Sequence, residues 1–215
     1  WPYKQHKTSR GIKNLPYHYL LKKKGACFGV AGGYERPMWY ALNDAKPEYN
    51  YSYRYQNWFP SAEYETKNCR QNVGLFDLSS FSKFELSGKN SYALLQKICT
   101  ANIKNQSGKC TYTQMLNVDG GIEADLTVVC LERDIFRIVS SAATRERDKF
   151  HIKKYLDENT KFSDITDDIC VFGIFGPKSR NLMSTLSEDD FSNENFKFSS
   201  GKFVKILGKK VWVQR

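Results

Sequence analysis

Residues 110 to 141 carry the pattern that most constrains the fold of this chain. Apolar side chains occupy every second position from Ile122 to Cys130, a period of two that is typical of a strand with one buried face. Asp119-Gly120 is a strong two-residue hairpin signal, and Glu132-Arg133-Asp134 forms a second short link. The sequence therefore predicts an antiparallel meander with strands at 110–117, 122–131 and 135–141.

The two links also predict which residues lie opposite each other. A two-residue turn at Asp119-Gly120 pairs Val118 with Gly121, and hence Gln114 with Asp125 and Tyr112 with Thr127. A three-residue second link pairs Leu131 with Ile135, and hence Asp125 with Ser141. One sheet face then carries Tyr112, Gln114, Asp125, Thr127, Val129, Val139 and Ser141, and the opposite face, which makes the core, carries Ile122, Leu126, Val128 and Ile138.

Asp125 is the unusual residue in this meander. Strands favour β-branched and apolar side chains, and a buried, unpaired carboxylate is costly. Beside an aromatic ring, an amide and hydroxyl groups, it could form a platform for a flat, nitrogen-rich ligand. The alternative is that Asp125 satisfies a backbone group or pairs with Arg137 on a half-solvated face, and the pattern alone favours this simpler explanation.

The rest of the chain alternates short helices with short strands, which predicts an α+β fold with antiparallel sheets and packed helices. Up to about residue 57 we expect a short helix that Gly25 closes, followed by a compact, irregular segment. The expected later elements are a helix at 62–71 with Ser61 as N-cap, strands at 73–78 and 82–87, a helix in "NSYALLQKICT", a helix that begins after Thr144 and runs to about Asp157, a strand in "DICVFGIFG" with Pro177 opening the next helix, and a hairpin in "KFVKILGKKVWVQR".

Composition narrows the class of protein. The net charge of +10 suggests nucleic acid, but residues 1–24 hold seven Lys or Arg and no acid, so the remainder is nearly balanced and a solvated basic face is preferred. Six cysteines without a CxxC pair predict reduced, buried thiols in an intracellular protein, and three scattered histidines predict no metal site. No apolar run is long enough to span a bilayer, so we expect no membrane association.

Three motifs carry a resemblance to a known family. "VGLFDLSSFSKFELSG", "YTQMLNVDGGIEADLTVV" and "FGIFGPKSRNLM" resemble, in order and spacing, the folate-binding T-protein (aminomethyltransferase, GcvT) family of the glycine cleavage system. "GACFGVAGGYERPMWYA" and "YSYRYQNWF" resemble the segment that joins the FAD domain to the folate domain in dimethylglycine and sarcosine dehydrogenases. The resemblance implies a connector at 1–58 and the N-terminal part of a GcvT-like folate-binding domain at 59–215, in a chain that begins and ends inside a longer protein.

The resemblance also implies roles for single residues. Asp125 falls on the family's catalytic aspartate, which contacts folate near its reactive nitrogens, and Tyr112 falls on a tyrosine of the same pocket. Ser141 stands where T-proteins often have an asparagine, and a further glutamate of the folate site is expected beyond residue 215. The cofactor-binding residues expected from the resemblance and from the sheet face are Tyr112, Asp125, Thr127, Ser141, Phe81, Gln114 and Val129, in a closed cavity shaped for a pteridine.

The implied function is that of an FAD-dependent N-methyl-amine dehydrogenase. A flavin domain outside this chain would bind FAD, oxidise the small-molecule amine and pass electrons to an electron-transfer flavoprotein, and the folate-binding domain of this chain would transfer the one-carbon unit to tetrahydrofolate. The compartment would be the bacterial cytoplasm or the mitochondrial matrix. Alternatives are a non-catalytic regulatory subunit like that of pyruvate dehydrogenase phosphatase, a T-protein-type aminomethyltransferase acting on a carrier protein and, more distantly, a nucleic-acid-binding domain.

Five further polar residues have simpler explanations. Glu35 and Arg36 in "GYERP" are expected to form an ion pair or backbone clamp that fixes the connector to the flavin domain, rather than to act in catalysis. His6, His18 and His151 are expected at the surface or in packing, because none has a partner nearby in the sequence.

Overall fold

A computed structural model describes residues 4–215, which form two compact units. The first unit comprises the described residues up to Ser80 together with Cys170–Ser179, and the second comprises Phe81–Ile169 and Arg180–Arg215. The predicted division into a connector (1–58) and a folate-binding domain (59–215) follows family boundaries rather than compactness, and it stays a prediction. None of the described helices is long and apolar enough to cross a membrane.

The regular elements follow the order expected for an α+β chain. They are α1 (His18–Lys23), β1 (Ala26–Ala31), β2 (Tyr34–Tyr40), α2 (Phe59–Gln71), β3 (Gly74–Asp77), β4 (Ser82–Ser87), α3 (Ser91–Ile98), β5 (Cys110–Leu116), β6 (Ile122–Glu132), β7 (Ile135–Ser140), a 3₁₀ turn (Ala142–Thr144), α4 (Arg145–Lys153), β8 (Lys161–Asp164), β9 (Phe172–Phe175), α5 (Ser179–Leu186), β10 (Gly201–Ile206) and β11 (Lys209–Gln214).

The second unit is built on a five-stranded antiparallel sheet in the order β5-β6-β7-β4-β8. Every second residue of β6 from Ala124 to Cys130 is buried, as the alternation predicted. These residues pack with α3 and α4 in one apolar cluster, to which Leu95 and Ile152 contribute fully buried side chains. The predicted fold class, α+β with antiparallel sheets and packed helices, is confirmed.

Both links of the meander differ from the prediction by one residue, and a β-bulge corrects each difference. At the first link the Asn117 N–H donates to the Gly121 carbonyl (2.9 Å), so the loop has three residues, and Glu123 is the extra residue that restores the predicted pairing of Gln114 with Asp125. At the second, Glu132 pairs with Ile135 across a two-residue turn, and Leu131 is the bulged residue. The predicted register is therefore right within the strands and wrong at the turns.

Ile122 does not lie in the core as predicted. β7 pairs with β6 only from Thr127 onward, so the first half of β6 and the end of β5 project as a two-stranded ribbon. The Ile122 side chain lies at the end of this ribbon and is 70 % exposed. No third strand pairs with this stretch in the described part of the chain, which explains the difference.

The boundaries of two helices differ from the prediction. α2 begins at Phe59 with Pro60 in its first turn, and Ser61 is buried within that turn instead of capping it. α4 ends at Lys153 rather than near Asp157, because the chain beyond it tightens into hydrogen bonds to the third preceding residue, such as Tyr155 N–H to the Ile152 carbonyl (3.1 Å).

The predicted irregular connector contains a regular hairpin. β1 and β2 pair antiparallel around Gly32-Gly33, and both glycines have positive φ (60° and 82°), as a type I′ turn requires. A Gly-Gly pair between two apolar runs was the available sequence signal.

The cysteines differ in part from the prediction of reduced, buried thiols. All six are free thiols, and Cys27 and Cys130 are buried, but Cys170 is exposed.

We expect Leu95→Ala to lower the free energy of unfolding by about 2–5 kcal/mol, because it empties a fully buried site in the α3–sheet core. Leu207→Ala is the matched control, since the Leu207 side chain is 76 % exposed and its removal leaves no cavity. Urea unfolding measures both variants. Equal effects would show that the α3–sheet cluster does not carry the stability of this unit.

Candidate functional site

Asp125 lies on the two-stranded ribbon formed by the end of β5 and the start of β6. Its side chain is exposed and projects opposite the core face, because the buried residues Ala124 and Leu126 flank it in sequence. The carbonyl of the bulged Glu123 accepts a hydrogen bond from the Arg147 guanidinium of α4, which anchors the free edge of β6 at this point. The carboxylate is thus carried on a locally fixed backbone and faces away from the core.

Two neighbours on β5 hold this carboxylate. The Tyr112 hydroxyl donates to Asp125 Oδ2 at 2.6 Å, and the Gln114 Nε2 amide donates to Asp125 Oδ1 at 3.1 Å. Each carboxylate oxygen offers two lone pairs and uses one here, so each keeps one for a further donor. The predicted pairing of Gln114 with Asp125 is confirmed, and it is what brings the amide to the carboxylate.

The proposed ion pair between Asp125 and Arg137 is wrong. Arg137 Nη2 instead contacts Glu85 Oε1 of the adjacent strand β4 at 2.6 Å. The Asp125 partners are therefore neutral donors rather than a cation. A carboxylate with two neutral donors keeps its charge available to a ligand.

The other residues predicted to bind the cofactor differ in burial and in their place on the sheet. Thr127 pairs with Tyr112 on the same face and is partly buried, whereas Val129 is fully buried. Phe81 and Ser141 lie just beyond the paired ends of β4 and β7, where Ser82 pairs with Ser140. These positions place both residues at the end of the sheet that carries Asp125.

Ser141 does not pair with Asp125 in the sheet, as the sequence had suggested. The β6–β7 ladder starts at Thr127 and Val139, and β7 ends at Ser140. Ser141 Oγ instead accepts a hydrogen bond from the Ala143 N–H at 3.3 Å and caps the 3₁₀ turn. Its hydroxyl proton remains able to point elsewhere.

Lys83 is a polar residue on this face that the sequence interpretation did not single out. It pairs with Val139 in the row that also contains Thr127 and Tyr112, and it is 1 % exposed. Its ammonium group donates to the Phe81 carbonyl at 2.8 Å. Alternation along "FSKFELS" places Lys83 on this face, but burial of a lysine has no sequence signal.

The expected closed cavity is absent around Asp125 in the described part of the chain. The Asp125 and Tyr112 side chains are both exposed, the latter by 65 %, because β5 is the only described strand that pairs with this half of β6. Two cavities of about 610 and 600 Å³ lie elsewhere, the first within unit one and the second beside β10 and α5, and neither is lined by a predicted site residue. The face that carries the carboxylate is open.

The first-unit cavity contains the ion pair expected for Glu35. Arg10 donates through Nε and Nη2 to the two Glu35 oxygens at 2.7 and 2.6 Å, and Glu35 Oε1 also accepts the Gly11 N–H at 2.8 Å. This arrangement clamps the segment around Arg10 onto the β1–β2 hairpin, so Glu35 has a structural partner within the connector itself. A fixing contact to a flavin domain stays a prediction.

The histidines occupy the positions expected for surface or packing residues. His6 is exposed, whereas His18 and His151 are buried. The His18 ring packs against Phe28 with centroids 4.0 Å apart, and burial lowers the pKa of its imidazole. No group of three His, Cys, Asp or Glu side chains in residues 4–215 is arranged to hold a metal ion.

The hydrogen bond to Asp125 raises the pKa of the Tyr112 phenol, because ionisation would place two negative charges side by side. We expect Asp125→Asn to lower this pKa toward the ordinary value for tyrosine. Tyrosinate absorbance, measured as the difference between each protein and its Tyr112→Phe derivative, follows this one phenol during a titration. The exposed turn variant Asp119→Asn is the control, and an unchanged Tyr112 titration in Asp125→Asn would contradict the bond.

The chain is 37 % identical over 207 residues to 4-methylaminobutanoate oxidase (formaldehyde-forming) of Paenarthrobacter nicotinovorans, covering 96 % of this chain and 25 % of the relative. It is 28 % identical over 213 residues to mitochondrial dimethylglycine dehydrogenase of Rattus norvegicus, covering 96 % of this chain and 24 % of that protein. The chain thus spans about a quarter of the length of these relatives.

Solved structures give the same fold. The glycine cleavage system aminomethyltransferase T from Bartonella henselae superposes with a TM-score of 0.69 at 22 % identity, over 88 % of this chain and 47 % of that one. The family model of the GCVT N-terminal domain matches residues 17–215. The chain therefore belongs to the GCVT N-terminal domain family, whose domain implies tetrahydrofolate binding, and it is related to oxidases and dehydrogenases of N-methylated amines.

Proposed function

We propose that this chain is the folate-binding part of an N-methyl-amine dehydrogenase or oxidase, and that it transfers the oxidised one-carbon unit to tetrahydrofolate as 5,10-methylenetetrahydrofolate. The observation that carries the proposal is the Asp125 carboxylate, held by the Tyr112 hydroxyl and the Gln114 amide on an open sheet face. Membership of the GCVT N-terminal domain family supports tetrahydrofolate as the ligand. The names of the relatives support an N-methylated amine as the substrate of the whole protein.

The side chains present fit a reduced pteridine. Its ring system presents several N–H donors in one plane, and Asp125 keeps one free lone pair on each oxygen to accept them. The largely exposed Tyr112 ring offers an apolar face against which a flat heterocycle can pack. We propose Phe81, Thr127 and Ser141 as further contacts at the same end of the sheet.

Val129 is too deeply buried to contact a bound folate directly. Its side chain is 0 % exposed, so a ligand on the open face would not contact it without rearrangement. We therefore propose that Val129 supports the site indirectly, through packing on the sheet face that carries Asp125. The cofactor-binding role expected from the family position stays a prediction.

Bound tetrahydrofolate would supply the two nitrogens that capture a one-carbon unit at the oxidation level of formaldehyde. Asp125 would accept a hydrogen bond from a folate N–H and so orient the nitrogen that reacts. As positive charge develops on that nitrogen, the carboxylate would stabilise it electrostatically and could take the released proton. Tyr112 and Gln114 would hold both carboxylate oxygens in place during this change.

The whole protein would combine this domain with chemistry located elsewhere. We propose an FAD domain that oxidises a small N-methylated amine, with an electron-transfer flavoprotein as electron acceptor. Dimethylglycine, sarcosine and 4-methylaminobutanoate are the candidate amines, because the relatives carry those names. The relatives also suggest the compartment. We propose the mitochondrial matrix if the protein is eukaryotic, since the eukaryotic relatives are named as mitochondrial, and the cytoplasm if it is bacterial.

The decisive variant for this function is Asp125→Asn in the full-length protein. We expect formation of 5,10-methylenetetrahydrofolate to fall by about 10²- to 10³-fold, because the amide cannot take a proton or stabilise a positive charge. Oxidation of the amine should be unchanged, since it occurs in another domain. Both are measured in one assay that follows folate product and electron-acceptor reduction.

Asp119→Asn, in the exposed turn of the same ribbon, serves as the control for charge removal and should leave both rates intact. The proposal fails if amine oxidation collapses in Asp125→Asn while methylene transfer per oxidised amine stays at the wild-type level. A non-catalytic regulatory subunit would give neither rate with any of the amines.

Tyr112 is expected to act in two separable ways. Tyr112→Phe keeps the ring but removes the 2.6 Å bond to Asp125, so methylene transfer should fall about tenfold or more while folate affinity is largely kept. Tyr112→Leu should lose folate affinity as well, because it removes the ring face. Folate titration by fluorescence separates the two, and equal affinity losses in both variants would contradict packing of the pteridine on this ring.

A further inference from the structure

We infer that Thr100 is a positioning residue for the proposed methylene transfer, because its hydroxyl fixes the Gln114 amide that in turn holds the Asp125 carboxylate. This inference rests on the proposed function and extends its site by one residue. Neither the family resemblance nor the sheet pattern pointed to Thr100, which lies in the loop after α3.

The loop that contains Thr100 covers the outer edge of β5. Cys99 forms an isolated antiparallel bridge with Met115, and the Thr100 N–H donates to the Gln114 carbonyl at 2.9 Å. The Ala101 N–H donates to Thr113 Oγ1 at 3.0 Å. These bonds fix the Thr100 backbone opposite Gln114, on the side of β5 away from β6.

The side chains continue this contact. Thr100 Oγ1 lies 3.3 Å from Gln114 Oε1, and only the hydroxyl can donate, since an amide oxygen carries no hydrogen. Gln114 Nε2 then points to Asp125 Oδ1 at 3.1 Å. The three residues form one chain of donors from the loop to the carboxylate.

The direction of the amide follows from chemistry as well as from geometry. A carboxylate only accepts hydrogen bonds, so an amide oxygen facing Asp125 would be repelled. Without Thr100, the half-buried Gln114 amide can rotate away, and Asp125 Oδ1 loses the one side-chain donor that it has within residues 4–215. Thr100 therefore holds the Gln114 side chain in one orientation before folate binds. Without it, the entropy cost of ordering this side chain would fall on the binding step.

Thr100 suits a clean test because its side chain is exposed. In the full-length protein, Thr100→Val should lower methylene transfer about two- to tenfold, because it removes the neutral hydrogen bond to Gln114 Oε1, with amine oxidation unchanged. The same hydroxyl oxygen also lies 3.2 Å from Thr113 Oγ1 and accepts the Gln114 N–H at 3.4 Å. Thr100→Ser keeps the hydroxyl and should restore wild-type transfer. Thr185→Val is the matched control, since Thr185 is also exposed and donates to a carbonyl, that of Leu182, at 2.7 Å.

Gln114→Glu gives a pH signature that a merely structural role would not produce. The titratable groups that contact Gln114 in this network are Asp125 and Tyr112, and Arg147 of α4 is a charged group that reaches this half of β6, at the Glu123 carbonyl. Two carboxyl groups at this distance share a proton at low pH, when the new O–H replaces the amide donor. Transfer by this variant should be highest at low pH and fall as that proton is lost, whereas a structural defect would lower it equally at every pH.

A crystal structure of Thr100→Val without folate provides a readout independent of activity. We expect the Gln114 amide to leave hydrogen-bonding distance of Asp125 Oδ1. Unchanged Gln114 geometry, or wild-type transfer in both Thr100→Val and Gln114→Glu, would overturn the inference. If the wild-type protein forms no methylenetetrahydrofolate, the proposed function fails and the positioning role fails with it, even where the amide moves as expected.

Discussion

The pairing of β5 with β6 is the constraint on which the candidate site depends. Because side chains alternate between the faces of a strand, a slip of one residue would turn Asp125 into the core and expose Leu126. Burial of Ala124, Leu126 and Val128 fixes the register energetically, and the same register brings Tyr112 and Gln114 to the carboxylate. Core formation and site formation are therefore one event in this meander.

The strands and the turns of the meander differ in how well the sequence predicts them. Alternation over six or more residues sums many burial energies, so the pairing of Gln114 with Asp125 could be derived correctly. The turns depend on single backbone conformations, such as the positive φ of Gly120 (79°) and Asp134 (61°). Each turn differs by one residue from the predicted length, and the bulges at Glu123 and Leu131 bring the strands back into the predicted register. Loop contacts such as that of Thr100 have no periodic pattern and could not be predicted.

The chemistry of the site follows from the kind of partners that Asp125 has. An arginine would neutralise the carboxylate, and the available one, Arg137, is instead engaged by Glu85. A phenol and an amide orient the carboxylate without neutralising its charge. Membership of the GCVT N-terminal domain family indicates folate as the ligand that would contact this charge. The open face of the ribbon is compatible with an acceptor that arrives from solution, although the described residues alone do not enclose it.

We propose that the ribbon face around Asp125 receives the pteridine. A crystal structure of the full-length protein with a stable tetrahydrofolate analogue bound would test this binding mode. We expect a pteridine nitrogen within hydrogen-bonding distance of an Asp125 oxygen and the ring packed on Tyr112. A pteridine bound elsewhere, with Asp125 still contacting only Tyr112, Gln114 and water, would contradict it.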